Sequence, residues 1–329
     1  MNTQQQVIAK IMDQSQAALR GSEDEYLDQL QAAYQAAQDA IAARIVSRFG
    51  AAGSWTLDDV KAQKFDAQLL THIDETIGKL NQKTNLLLEN GMADQYLQAQ
   101  QWSSYMLDQV TPDTINPKVT ILTDTAIRAL VNERFQGAMF SERIGLITDG
   151  MAQDIKDGLL QSMISGETMG QAADRVDAVI GDGSTWANRA EMIARTEIMR
   201  AQNLGRSATY EQNADLMDGT EWVATGDDRV CPSCGGRDGK TDEEIQAGIE
   251  DDEFDGSIDT PLHPNCRCTK APKLKSWRDL GVDMPEDWAD DARGYRDEDT
   301  GKWRIAPVQN FDDWRQDKLP YLEQGGGGE

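Results

Sequence analysis

Apolar residues recur every three or four positions over most of the chain, the spacing of helices that each bury one stripe. Leu27, Leu30, Tyr34, Ala37, Ile41 and Ile45 predict a helix from about Asp24 to Arg48, which Gly50, Gly53 and Ser54 interrupt. A second helix is predicted from Thr56, a capping residue with Asp58 and Asp59 at the positive end of the helix dipole. It runs through Val60, Phe65, Leu69, Ile73, Ile77, Leu80 and Leu87 to Asn90–Gly91, which reads as its end. A third, over 93–110, carries Tyr96, Trp102 and Met106. Three such helices with short links predict an antiparallel bundle or long hairpin over 1–115. The Gln-rich first twenty residues are expected to fray or to order on a partner.

Two prolines within 111–117 mark a boundary. Helical spacing resumes over 123–135 and 141–163, a turn at 165–170 leads into another helix, and Gly181–Asp182–Gly183 ends it. Ser184 then caps a long helix to about Asn213 whose stripe is Trp186, Ala190, Ile193, Ala194, Ile198, Ala201 and Leu204. Residues 118–215 are therefore read as a helical middle domain. Glu221–Thr225 has strand chemistry, and 267–271 is placed to return beside it, giving a small α+β segment over 216–275. Beyond Ser276 the chain turns acidic, poor in aliphatics and rich in tryptophan: Trp277, Trp288, Trp303 and Trp314. That tail, 276–329, is not expected to form its own core, so its aromatics should anchor it to the preceding domain or to another protein. The fold class is thus mainly α.

Candidate chemistry is confined to one stretch. All four cysteines and one of the two histidines lie between Cys231 and Cys268. Cys231-Pro232-Ser233-Cys234 and His263-Pro264-Asn265-Cys266 repeat an i, i+3 spacing, and two such knuckles close a tetrahedral zinc site. Cys268, two residues on, points to the same side of an extended segment as Cys266 and is the reserve ligand. Two disulfides are the alternative. The opening Met1-Asn2-Thr3-Gln4-Gln5-Gln6 has no secretory character, which favours a reduced site of synthesis and hence metal. Four protein ligands leave no open position, so the metal is expected to be structural rather than catalytic. His72, with no second ligand nearby, reads as an ordinary helix residue.

Charge narrows the partners. The chain carries 32 basic against 57 acidic residues, a net charge of −25, with a pI near 4.4. DNA affinity comes largely from cations that neutralise phosphates, so broad nucleic-acid binding is disfavoured. No run of eighteen apolar residues occurs, which predicts no membrane span. Residues 238–259, with ten acidic residues and one lysine, read as a solvated, mobile excursion between the knuckles, without the alternating ligands of a calcium loop.

Ala194-Arg195-Thr196-Glu197, Trp222-Val223-Ala224-Thr225, Asp227-Asp228-Arg229-Val230-Cys231-Pro232-Ser233-Cys234 and Pro261-Leu262-His263-Pro264-Asn265-Cys266-Arg267-Cys268, in that order, resemble the Mu F-type phage head morphogenesis proteins. The likeness covers about 120–275. Val230 departs from the threonine usual before the first cysteine, one β-branched residue for another. The resemblance implies a minor head protein of a tailed phage, made in the host cytoplasm and lodged in the virion, which works with the portal protein and other head proteins in head assembly, DNA packaging or genome ejection. It also places Arg195, Glu197 and Asp227 in the motif, either as polar anchors for the zinc segment, as a grip on a partner, or as ordinary boundary charges. Two other readings stand beside it. One is a zinc-dependent hydrolase or nuclease using Glu197, Asp227 and His263; the other is a metal-stabilised adaptor unrelated to phage. The absence of a His-Glu-x-x-His helix and of a phosphate-cradling glycine loop counts against the enzyme. The 54 residues after Lys275 are too few and too poor in aliphatics for an appended toxin domain.

Overall fold

The computed structural model describes residues 3–49, 67–181, 183–225, 229–254, 256–282, 292–296, 300 and 302–322. The protein is mainly helical. In chain order the described elements are α1 Thr3–Phe49, α2 Ala67–Val110, α3 Asp124–Val131, α4 Phe140–Ser165, α5 Met169–Ile180 and α6 Thr185–Gln212. They continue with β1 Met217–Val223, the one-turn α7 Pro232–Gly235, α8 Asp242–Glu250, β2 Thr269–Leu274, the hairpin β3 Ala292–Arg296 and β4 Trp303–Pro307, and α9 Phe311–Leu322. Internal packing divides the chain into two compact units. One gathers Met1–Ser22, Met92–Val131 and Ile198–Glu329; the other gathers Glu23–Gly91 and Asn132–Glu197.

Several predicted elements change. Helix α1 begins at Thr3, and Val7, Ile8, Ile11, Met12 and Leu19 are buried, so residues 3–20 form a packed helix where an unpacked end was expected. Val7, Ile8, Ile11 and Met12 fall on one helical face and join a cluster with Trp102, Tyr105, Met106 and Trp314. Asn90–Gly91 does not end a helix: α2 runs straight through it. There a Cβ would lie 3.1 Å from the Tyr26 ring, so the glycine serves a close approach and not a turn. The predicted helix over 123–135 stops at Val131, because Gln136 and Gly137 take positive φ in a tight turn that pairs Phe135 with Ala138. Thr56, Val60 and Phe65 lie outside the described residues, and so does Trp288.

Other expectations match. Helix α2 ends at Val110, ahead of the two prolines, and Asn213 pins the connector beyond them, donating to the Lys118 carbonyl at 2.7 Å and accepting from its N–H at 2.6 Å. Thr168 caps α5 in a reciprocal capping box with Gln171, and the Ser184 hydroxyl accepts from the Ala187 N–H at the start of α6. His72 is a half-buried helix residue whose Nε2 lies 3.3 Å from the Ala40 carbonyl.

In the first unit α6 lies hard against α2. A Cβ on Gly205 would sit 2.2 Å from the Tyr96 carbonyl oxygen. In an exposed helix, Gly→Ala stabilises by up to about 1 kcal/mol. At Gly205 the sign should reverse, with a loss of about 1–3 kcal/mol as the helices are pushed apart; urea unfolding of Gly205→Ala measures it.

Candidate metal centre

The two-stranded sheet brings the knuckles together. Strands β1 and β2 are antiparallel, with Val223 opposite Thr269 and Glu221 opposite Ala271, the pairing expected for 221–225 and 267–271. In an antiparallel pair the end of one strand neighbours the start of the other. The segment leaving β1 toward Cys231 and the segment entering β2 from Cys268 therefore emerge on the same side.

Local chemistry shapes each knuckle. Cys231 caps α7, its Sγ accepting from the Cys234 N–H at 3.4 Å, and Pro232 occupies the first helical position, where its missing N–H is harmless. In the second knuckle the His263 carbonyl accepts from the Cys266 N–H at 3.0 Å, and Asn265 takes φ 59°. Pro264 followed by a left-handed Asn265 is the residue order of a tight turn that needs φ > 0 at its third position. That turn sets His263 and Cys266 three apart on one rim. His263 Nδ1 lies 2.8 Å from the Pro264 carbonyl. A carbonyl can only accept, so Nδ1 carries the hydrogen and Nε2 keeps its lone pair for a metal.

Nε2 is 3.2 Å from Cys231 Sγ and 3.3 Å from Cys234 Sγ, and Cys234 Sγ is 3.9 Å from Cys266 Sγ. The five donors form two triads, Cys231–Cys234–His263 and Cys234–Cys266–Cys268, each with its donor atoms within 4.8 Å of one another. Cys234 belongs to both. Cys234, Cys266 and Cys268 are buried, Cys231 and His263 half-buried, and none of the cysteines is in a disulfide. Hydrogen bonds from Cys234 and then Cys268 hold the Cys266 thiol far below the ordinary thiol range. Hydrogen bonding to Cys266 and to Cys268, followed by burial, pushes Cys234 up. Crowding thus drives the acidities of neighbouring thiols apart, and a dication bound among them would take the place of their protons. Thiolates and imidazole are soft donors that suit zinc.

The acidic insert is not a mobile excursion. Thr241 and Glu244 form a capping box at the start of α8, and Ile245 is fully buried with Trp222, Phe254 and three of the cysteines. The Trp222 N–H donates to the Lys240 carbonyl and the Gly239 N–H to the Trp222 carbonyl, both at 2.9 Å. Asp242 accepts from Lys270 Nζ at 2.6 Å and from the Thr220 hydroxyl at 2.8 Å. Burying Ile245 and Phe254 against the sheet offsets the insert's charge. Thr241-x-x-Glu244 with Ile245 and Ile249 one turn apart is the sequence signal for this helix.

The motif's flanking charges sit elsewhere. Glu197, 1% exposed as a side chain, pairs with Arg143, which also donates to the Phe135 carbonyl. Arg195 pairs with Glu191 at 2.9 Å and Glu23 at 3.4 Å. Asp227 lies outside the described residues. Asn203, which sequence patterning does not single out, donates from α6 to the Cys268 carbonyl at 3.1 Å. Arg237, likewise unflagged, is fully buried and donates to the Ser233 carbonyl at 2.8 Å.

Residues 153–271 match the family model of Phage Mu protein F like proteins, a stretch that runs from α4 through α6, β1 and both knuckles into β2. No curated protein and no solved structure matches the chain. The family match supports a Mu F-like phage head morphogenesis protein.

Proposed function

We propose that this Mu F-like chain is a minor head protein of a tailed phage. In this reading it associates with the portal and serves head assembly, DNA packaging or genome ejection, with zinc as a structural cross-link. The family match over 153–271 carries the reading, because that stretch contains every candidate ligand. Cys231, Cys234, His263 and Cys266 would hold the ion, with Cys268 in reserve. Bound there, zinc ties the end of β1 to the start of β2 and clamps the small buried cluster of Trp222, Ile245 and Phe254. Five donors around one centre exceed the four that a closed site needs, which favours a structural role over hydrolysis. No described helix is long and apolar enough to cross a membrane. The net charge of −25 disfavours direct binding to packaged duplex and leaves protein surfaces as its means of attachment.

The test is co-expression with a portal protein from the same phage, followed by gradient sedimentation and mass spectrometry of assembled heads. Co-sedimentation with portal oligomers and a fixed copy number per head are expected. Heads that assemble, package and eject normally without the chain, and that never contain it, would overturn the reading.

A further inference from the structure

Arg237 follows Cys234 by three residues and is 0% exposed. A guanidinium stays charged at any ordinary pH, so burying one is costly unless its surroundings satisfy it. Those surroundings are specific. Its backbone N–H donates to the Cys234 carbonyl at 3.2 Å, and Nη1 donates to the Ser233 carbonyl at 2.8 Å. The planar head lies 4.7 Å from the Phe254 ring centroid and 5.8 Å from that of Trp222, within cation–π range of both. Phe254 is fixed in turn by Gly248, where a Cβ would come within 2.4 Å of the ring. Trp222 and Phe254 share one buried cluster with Cys234, Cys266 and Cys268. The arginine therefore cannot swing away without opening the packing around the donors. The carbonyl it grips belongs to Ser233, inside the loop that aims two of them.

We infer that Arg237 is a positioning residue of the metal centre, locking the Cys231–Cys234 knuckle through the Ser233 carbonyl. The inference rests on the metal reading above. Its rival is that Arg237 only fills space between Trp222 and Phe254. An unbranched side chain of similar length would do that as well, whereas a grip on the carbonyl needs a donor.

The experiment uses the full chain loaded with zinc, comparing wild type, Arg237→Met, Arg237→Lys and Ile245→Val, the last trimming the same buried cluster without touching the hydrogen bond. Zinc transfer to a chromogenic chelator is timed at a temperature where circular dichroism shows every variant folded, and thermal midpoints are recorded separately. Loss of an outer-shell partner typically weakens metal binding about 10–100-fold. Arg237→Met should therefore release zinc at least about tenfold faster, with Arg237→Lys, which keeps one donor and the charge, in between. Ile245→Val should lower the midpoint and leave the transfer rate near wild type. Transfer from Arg237→Met at the wild-type rate overturns the inference, as do rates that simply follow lost thermal stability across all three variants. Where Arg237→Met does not fold, Arg237→Lys decides: wild-type transfer overturns the inference, and faster transfer from folded protein upholds it. A wild type that never holds zinc fails one step earlier, removing the metal reading and this inference with it.

Discussion

Replacing Cys234 with serine should abolish zinc binding and collapse the segment between β1 and β2. Its Sγ is the one donor atom common to both triads, so whichever ligand set the ion selects, this thiolate belongs to it. A serine oxygen is a poor zinc ligand, and without Cys234 both triads are broken, leaving Cys231 with His263 and Cys266 with Cys268 as two separate pairs. Structural zinc contributes roughly 10–16 kcal/mol of apparent folding free energy in small zinc domains at neutral pH. A net stability of about 5–15 kcal/mol does not survive such a loss within the unit that bears it. Elemental mass spectrometry on protein purified without chelator should find one zinc per wild-type chain and none in Cys234→Ser. Proteolysis should open inside 238–259, where wild type is protected by α8 and Phe254.

Two further substitutions separate the ligand sets. Cys268→Ser should keep the metal if the first four donors hold it, and His263→Ala should lose it; the reverse result would install Cys268 as the fourth ligand. Because the ligands bind deprotonated and the cluster holds the Cys234 proton tightly, metal binding must release protons. Zinc affinity should therefore fall as pH falls. Four thiols found as two disulfides in protein purified without reductant would end the metal reading.

Legibility in the sequence followed the range of the forces involved. The knuckles were readable because ligand spacing is local: Cys231 with Cys234 and His263 with Cys266 each lie within one turn. The β1–β2 pairing was readable for a related reason, since strand-like residues flank both knuckles. Gly91 was not, because the partner that requires it, Tyr26, is far away in sequence, and Asn–Gly taken alone is a helix end. The same holds for Val7 to Met12, whose value depends on Trp102 and Trp314. Each compact unit is assembled from separated stretches of chain, so no local change in composition marks its borders. Arg237 defeated the sequence because a buried arginine looks like any surface charge until its aromatic walls are in view. The acidic insert is different: its capping box was present, but ten acidic residues outweighed three isoleucines and a phenylalanine in a reading by composition.

The C-terminal tail supplies the second large effect. Trp314 is 2% exposed, its Nε1 donates to Asp108 Oδ2 at 3.1 Å, and its ring meets Tyr105 edge-on at 5.6 Å. Phe311, one turn earlier, stacks on Trp102 at 3.7 Å, and the Tyr105 hydroxyl donates to the Gln309 carbonyl at 2.6 Å. These residues complete the cluster that Val7, Ile8, Ile11 and Met12 enter from α1, so Val308, Phe311 and Trp314 of the tail are part of a core and not an appendage to it. Trp314→Ala should then cost about 3–5 kcal/mol, the range for emptying a buried aromatic site. Trp314→Phe keeps most of the apolar contact and gives up the bond to Asp108, a loss of about 1.5–3 kcal/mol for a hydrogen bond to a charged group. Ile11→Ala should be non-additive with Trp314→Ala, since the two side chains belong to one buried cluster. Chemical denaturation followed by tryptophan fluorescence reads all four. A loss below about 1 kcal/mol in Trp314→Ala, the level typical of surface substitutions, would detach the tail from this core and leave its aromatics free to anchor a protein partner.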